Sequence, residues 1–210
     1  MSFPRIAVVC LAAVTVAGVA SGCGLFGPTP EERVRQAAAL QEDIEKREAF
    51  LELAAEPHPD MRSELQRLLR EAPDPTVRAL AAEALGRLGS KQDVEFLRQA
   101  LRNDDHWLVR SRSLEWLSRV LQSGAADDIG HALKNDRNPL VRAEAVRMAV
   151  LHAPEDQLYP LLLQALGDPS GGVRMLACVE LQTFTGGSFP PARGPWQTYL
   201  RRSGLLQGGQ

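Results

Sequence analysis

From residue 74 onward the apolar positions recur at helical spacing, and the whole pattern returns after 32 residues. In the clearest stretch, Val77, Ala81, Ala84, Leu85 and Leu88 fall on one helix face. Asp74-Pro75 enters that helix as N-cap and first-turn proline, and Gly89 stops it. Ser90 can cap a second helix whose apolar face is Val94, Leu97 and Leu101. The pairs Val77-Arg78, Val109-Arg110, Val141-Arg142 and Val173-Arg174 stand 32 residues apart. Two further Val-Arg pairs, at 34 and 146, are out of phase, so the surrounding positions carry the argument. Four places after each in-phase valine comes Ala81, Ser113, Ala145 or Ala177; eight places after comes Leu85, Leu117, Ala149 or Leu181. One period earlier, Lys46 takes the arginine's place, with Ala49, Phe50 and Leu53 in register.

The pattern predicts helical hairpins, none able to bury its apolar face alone, stacked so that neighbours share a core. The units fall near 31–73, 74–104, 105–137, 138–167 and 168–184. Leu85 and Leu117 share one phase and are expected in the core. Thr29-Pro30-Glu31-Glu32 reads as a capping box opening a long, mostly charged helix through about Ala55. At the other end Thr185-Gly186-Gly187 breaks the pattern. Phe189, Trp196, Tyr199 and Leu200 then suggest a hydrophobic lid over residues 185–204, with a flexible tail at 205–210.

The run Asp74-Pro75-Thr76-Val77-Arg78, continued by Ala81-Ala82-Glu83-Ala84-Leu85-Gly86-Arg87-Leu88-Gly89, resembles the short bacterial HEAT repeat. This is the type also named after phycobilisome lyases. The Trp and Tyr markers of tetratricopeptide repeats and the Thr-Pro-Leu-His of ankyrin repeats are missing. The resemblance covers roughly residues 42 to 184. It implies an all-α, right-handed α-solenoid of about five hairpins. It also implies that Arg78, Arg110, Arg142 and Arg174 bond acids or carbonyls near the loops, as a structural ladder. Asp74, Asp104, Asp105, Asp136 and Asp168 are the acids so placed.

Composition adds a compartment. Ile6 to Ala20 is apolar apart from Thr15, follows Arg5, and is shorter than the ~20 residues a membrane span needs. Residues 1–22 therefore read as a signal peptide. Ala20-Ser21-Gly22-Cys23 resembles the bacterial lipobox, which implies a lipid on Cys23 and a tether over 23–30. Gly24 rather than Asp follows the cysteine, which implies the outer membrane, facing the periplasm, in a source with two membranes. If Cys10 is removed and Cys23 lipidated, Cys178 is the remaining thiol, expected as a small buried residue. The 24 basic residues less Arg5 leave 23 against 26 acidic, a net charge of −3. A chain that lived on phosphate contacts would carry a basic excess, so nucleic acid is not an expected partner.

No catalytic constellation emerges. His58, His106, His131 and His152 form no His-x-x-x-His, no Cys-x-x-Cys joins them, and the His-Glu dipeptides of iron-binding HEAT-like hydroxylases are missing. There is no phosphate loop and no Gly-x-Ser-x-Gly. No cofactor or metal is expected. The expected role is a non-catalytic scaffold that binds a protein partner. The alternative is a carrier or lyase-like module for a small hydrophobic ligand, using Trp107, Trp116 or Trp196. In HEAT arrays as the resemblance frames them, second helices line the concave side. Their outward positions here would be Arg67, Phe96, Gln99, Asp128, His131, Leu163 and Gln164.

Overall fold

The computed structural model describes residues 27–41, 43–55 and 58–206. The segment expected to be a signal peptide, residues 1–22, and the expected lipidation site Cys23 lie outside these residues. All regular structure among the described residues is helical: α1 (Pro30–Ala39), α2 (Asp43–Ala55), α3 (Arg62–Glu71), α4 (Pro75–Leu88), α5 (Val94–Asn103), α6 (Trp107–Leu121), α7 (Ala126–Asn135), α8 (Pro139–His152), α9 (Glu155–Ala165), α10 (Gly171–Thr185) and α11 (Arg193–Arg202). None of them is long and apolar enough to cross a membrane.

The helices form an α-solenoid of two rows. The even-numbered helices, which carry the Val-Arg motif or its Lys46 equivalent, stack α2–α4–α6–α8–α10. The odd-numbered helices stack α1–α3–α5–α7–α9–α11, and each even helix nestles against the odd helix before it. Spacing differs between the rows. Small residues on α4 (Ala81, Ala82, Ala84 and Gly86, all buried) let the even helices approach closely, whereas α5 and α7 touch only lightly. Unequal spacing bends the stack toward the tighter row, so the Val-Arg helices line its inner side and the odd-numbered row its outer side. The core runs unbroken between the rows, and Leu85 and Leu117 are fully buried within it.

One terminal expectation is corrected. The long first helix is two helices, broken where Leu40 is extended (φ −61°, ψ 148°). The reason is packing: α1 buries Val34 and Ala37 and belongs to the outer row, tied by Ser63 Oγ donating to Glu31 Oε1 (2.8 Å). Meanwhile α2 belongs to the inner row and reaches α4 through Lys46. One straight helix cannot lie in both rows. The capping box at Thr29 is formed, with Thr29 and Glu32 exchanging both bonds.

At the other end α11 is a further outer-row helix packed on α9, and its apolar residues turn into the core there. Trp196 and Leu200 are fully buried, Phe189 meets Trp196 edge-on at 5.0 Å, and the Tyr199 hydroxyl donates to Thr185 O at 3.1 Å. Of the expected tail, residues 207–210 lie outside the described residues, while Leu205 and Leu206 turn back onto α11. Gly204 sits at φ 72°, its N–H bonds Arg201 O, and the Leu205 N–H bonds Leu200 O, a Schellman motif that leaves Leu205 and Leu206 half-buried.

Two positions on the inner row give opposite predictions. Ser113 is fully buried and its hydroxyl has no hydrogen-bond partner among the described residues, where the other units hold Ala81, Ala145 and Ala177. Ser113→Ala should raise stability by roughly 1 kcal/mol by removing an unsatisfied group. A Cβ on Gly86 would lie 2.4 Å from Trp116 Cβ, so Gly86→Ala should lose ~1–3 kcal/mol despite its better helix propensity. Denaturant melts of the two variants measure both signs.

Candidate functional site

The recurring arginines form a ladder between units. Arg78 gives Nε and Nη2 to the two carboxylate oxygens of Asp104 (2.8 and 2.9 Å), Arg110 to Asp136 (2.7 and 2.8 Å) and Arg142 to Asp168 (2.7 and 2.9 Å). Lys46 Nζ holds Asp74 at 2.8 Å in the first unit. The third guanidinium nitrogen turns back to a carbonyl six residues earlier: Ala72, Asp104, Asp136 and Asp168 for the four arginines in order. The same aspartates accept the amide two residues on, at Thr76, His106, Asn138 and Ser170. Burial pushes the Asp104 and Asp168 carboxyls up. The arginine facing each and the amide it accepts outweigh burial and hold both below the ordinary carboxylate range. The exposed Asp105 accepts from Arg78 Nη2 through its carboxylate and from Arg110 and Arg137 through its carbonyl.

A second ladder, on the outer row, was not foreseen. Arg35 reaches Glu64 (3.2 Å), Arg62 and Gln66 reach Asp93 (3.2 and 2.8 Å), and Arg98 and Arg102 reach Asp128 (3.0 and 3.3 Å). Glu64, Asp93 and Asp128 are all buried.

This ladder decides the fate of the proposed outward residues. Asp128 and Leu163 are each 3% exposed and are not surface positions: Asp128 is an acceptor within the ladder, and Leu163 is core. Arg67 is exposed but clasped by Glu64 (2.6 and 2.9 Å). Phe96 is half-buried beneath the Arg70 guanidinium, 5.3 Å from its ring centre. Gln164 is half-buried and donates to Gly130 O, while Gln99 and His131 are exposed. Two of the seven are therefore not surface positions, and all seven belong to the odd-numbered row. Counting hairpins from the Val-Arg motif labelled its helix as first, whereas helix spacing makes it the inner one.

The inner row is different. Every large hydrophobic residue that is exposed among the described residues lies on it: Ile44, Trp107, Leu140, Leu151, Met175, Val179 and Phe184. Ile44 also lines a cleft of about 330 Å³ across α2, α4 and α6 with Ala79, Leu80 and Leu108, edged by Glu83 and Arg112. Ile44, Thr76, Leu108 and Leu140 occupy one phase of the 32-residue period. That phase was legible as a line along the inner helices once the row was known. The tryptophans offer less than expected to a small ligand. Trp196 is fully buried, and Trp116 lies between the guanidinium groups of Arg87 and Arg119 at 5.3 and 5.0 Å; Trp107 alone is open.

The inner ladder carries a pH signature. A depressed aspartate adds stability that is complete above its unfolded pKa of about 3.9 and is lost as pH falls through its lower folded value. The melting temperature should therefore hold from pH 7 to about 5 and fall below about 4. Arg142→Gln should cost ~3–5 kcal/mol at pH 7, because Asp168 is left buried and charged. The cost should shrink in acid as Asp168 takes up a proton. Melts across pH 3–7 measure this.

Comparison of the sequence with curated proteins gives no match. A family model described as HEAT repeats matches residues 30–118, from α1 through most of α6. The Arg110–Asp136 and Arg142–Asp168 rungs repeat the geometry of Arg78–Asp104 past the end of the match, so the all-α solenoid of the matched segment runs on to α11.

Proposed function

We propose that this protein is a non-catalytic lipoprotein of a bacterial envelope, anchored through Cys23, whose HEAT-type array binds a protein partner along its inner face. HEAT repeats commonly serve as protein-interaction scaffolds. The observation that carries the reading is the gathering of the exposed large hydrophobics on the inner row. A line of apolar side chains flanked by short-range ion pairs such as Glu83–Arg87 and Glu144–Arg147 suits a peptide or helix better than a polyanion. The small-ligand carrier finds its best support in the cleft beside Ile44, but that cleft opens along the row rather than enclosing a ligand.

Leu140→Glu combined with Leu151→Glu should abolish capture of the native partner from solubilised envelopes and leave the helical melt nearly unchanged, since both side chains are exposed. The outer-row pair Phe96→Ala with Arg67→Glu should retain capture. The reverse result would return the site to the outer row. For the anchor, intact-mass measurement of protein from its native host should give a chain beginning at Cys23 with added lipid mass. An unmodified Cys23, or retention of residues 1–22, excludes it.

A further inference from the structure

The last inner helix, α10, ends the arginine ladder without closing it. Arg174 makes the inward half of the rung, donating through Nη1 to Asp168 O (2.8 Å) and Pro169 O (3.0 Å). Those bonds hold its guanidinium as the earlier ones are held. On the edge where Arg78, Arg110 and Arg142 each grip a carboxylate 26 residues ahead, Arg174 meets Leu200 in sequence. No described carboxylate lies within ion-pair distance of it.

Beside that open fork the repeat changes character. Ala79, Ser111 and Ala143 give way to Met175; Glu83, Glu115 and Arg147 give way to Val179. On α4, covered by the next inner helix, Ala79 and Glu83 are 5% and 8% exposed; on α10, Met175 and Val179 are 52% and 46% exposed. At these positions α10 carries larger apolar side chains than the inner helices before it, and they stand open among the described residues. The 186–192 loop covers only part of this side, where Cys178 Sγ donates to Phe189 O.

We propose that this open end receives an amphipathic helix of a protein partner, entered by an aspartate that closes the Arg174 rung while the helix covers Met175 and Val179. The occupant's chemistry is that of the array's own inner helices, which meet their predecessors through the same aspartate and an apolar face. The inference rests on the reading of the chain as a protein-binding scaffold. It adds a second contact, at the end of the array rather than along it.

The probe is a fluorescent peptide reproducing residues 136–153 of this chain, which holds Asp136 and the whole of α8. It is titrated by anisotropy into the full chain in detergent. Saturable binding is expected. Arg174→Gln should weaken it about tenfold, as truncating one partner of a charge-assisted pair does. An Asp136→Asn peptide should bind the wild-type chain as weakly, with no further loss on Arg174→Gln. Val179→Glu, which touches no hydrogen bond, should also weaken binding and keeps the test valid if Arg174→Gln disturbs the fold. No saturable binding, or equal affinity for the Asp136 and Asp136→Asn peptides, overturns the proposal. So does concentration-dependent self-association of the chain that Arg174→Gln abolishes, which would give the site to a second copy. If the peptide fails while the Leu140 and Leu151 variants still lose the partner, this inference falls and the scaffold reading stands.

Discussion

Each rung between an inner-helix arginine and the aspartate of the next loop meets several needs with one side chain. Ala72, Asp104 and Asp136 are the C-cap residues of α3, α5 and α7, where helix carbonyls lack partners; the following arginine donates to each. The aspartate it grips ahead accepts an amide at the entry to the next inner helix, as Asp104 does from His106. So Arg110 closes the helix behind it, Asp136 opens the helix after it, and the pair locks two loops in register. Burying such a pair is expensive, and it breaks even only when every lone pair and N–H is matched. Here the matching partners are backbone groups that would otherwise be orphaned.

The rest of the architecture follows from the two ladders having different reach. On the inner row the contact surfaces are small: Gly86 admits the Trp116 ring, and Ala82 and Ala145 leave no side chain to hold helices apart. On the outer row, long arms do the bridging, with Arg62, Arg98 and Arg102 stretching from one helix to a buried acid on the next. Close contact on one side and extended arms on the other give the stack its curvature. The fully buried Ile129, Leu97 and Leu162 fill the wedge between the rows.

The inner ladder was legible in the sequence because its period is constant and Asp-Pro or Asn-Pro marks helix entries at 74 and 138. The outer one was not. Its acids, Glu64, Asp93 and Asp128, are spaced unevenly and look like solvated charges on amphipathic helices, so Asp128 was read as surface. Which row is inner was equally hidden, since that depends on the distance between helices two elements apart. A repeat count carries no information about it. The break at Leu40 has no Gly or Pro to announce it; tertiary packing of Val34 on one row and Phe50 on the other overrides a favourable local propensity. The aromatic group of Phe189, Trp196 and Tyr199 was visible as a hydrophobic cluster. Its place as a sixth outer helix required the contact of α11 with α9.

What remains free to bind is decided by what the ladders already hold. An outer-face charge such as Arg98 or Asp128 is committed to a pair spanning two units, and drawing it toward a partner would leave a buried ion unmatched at a cost of ~3–5 kcal/mol. Arg67 is tied within its own helix to Glu64, which also receives Arg35 from α1. The inner-face charges pair differently: Glu115 with Arg112 and Arg119, and Glu144 with Arg147, all three or four residues apart on one helix. Their acids are half-buried, but each pair lies within one helix, so none of them bridges two units. Burial pushes the Glu144 carboxyl above the usual range despite Arg147 beside it. A partner that covers the inner row therefore gains the apolar area of Leu140 and Leu151 without dismantling the stack. A partner on the outer row would have to compete with the bonds that keep the units together.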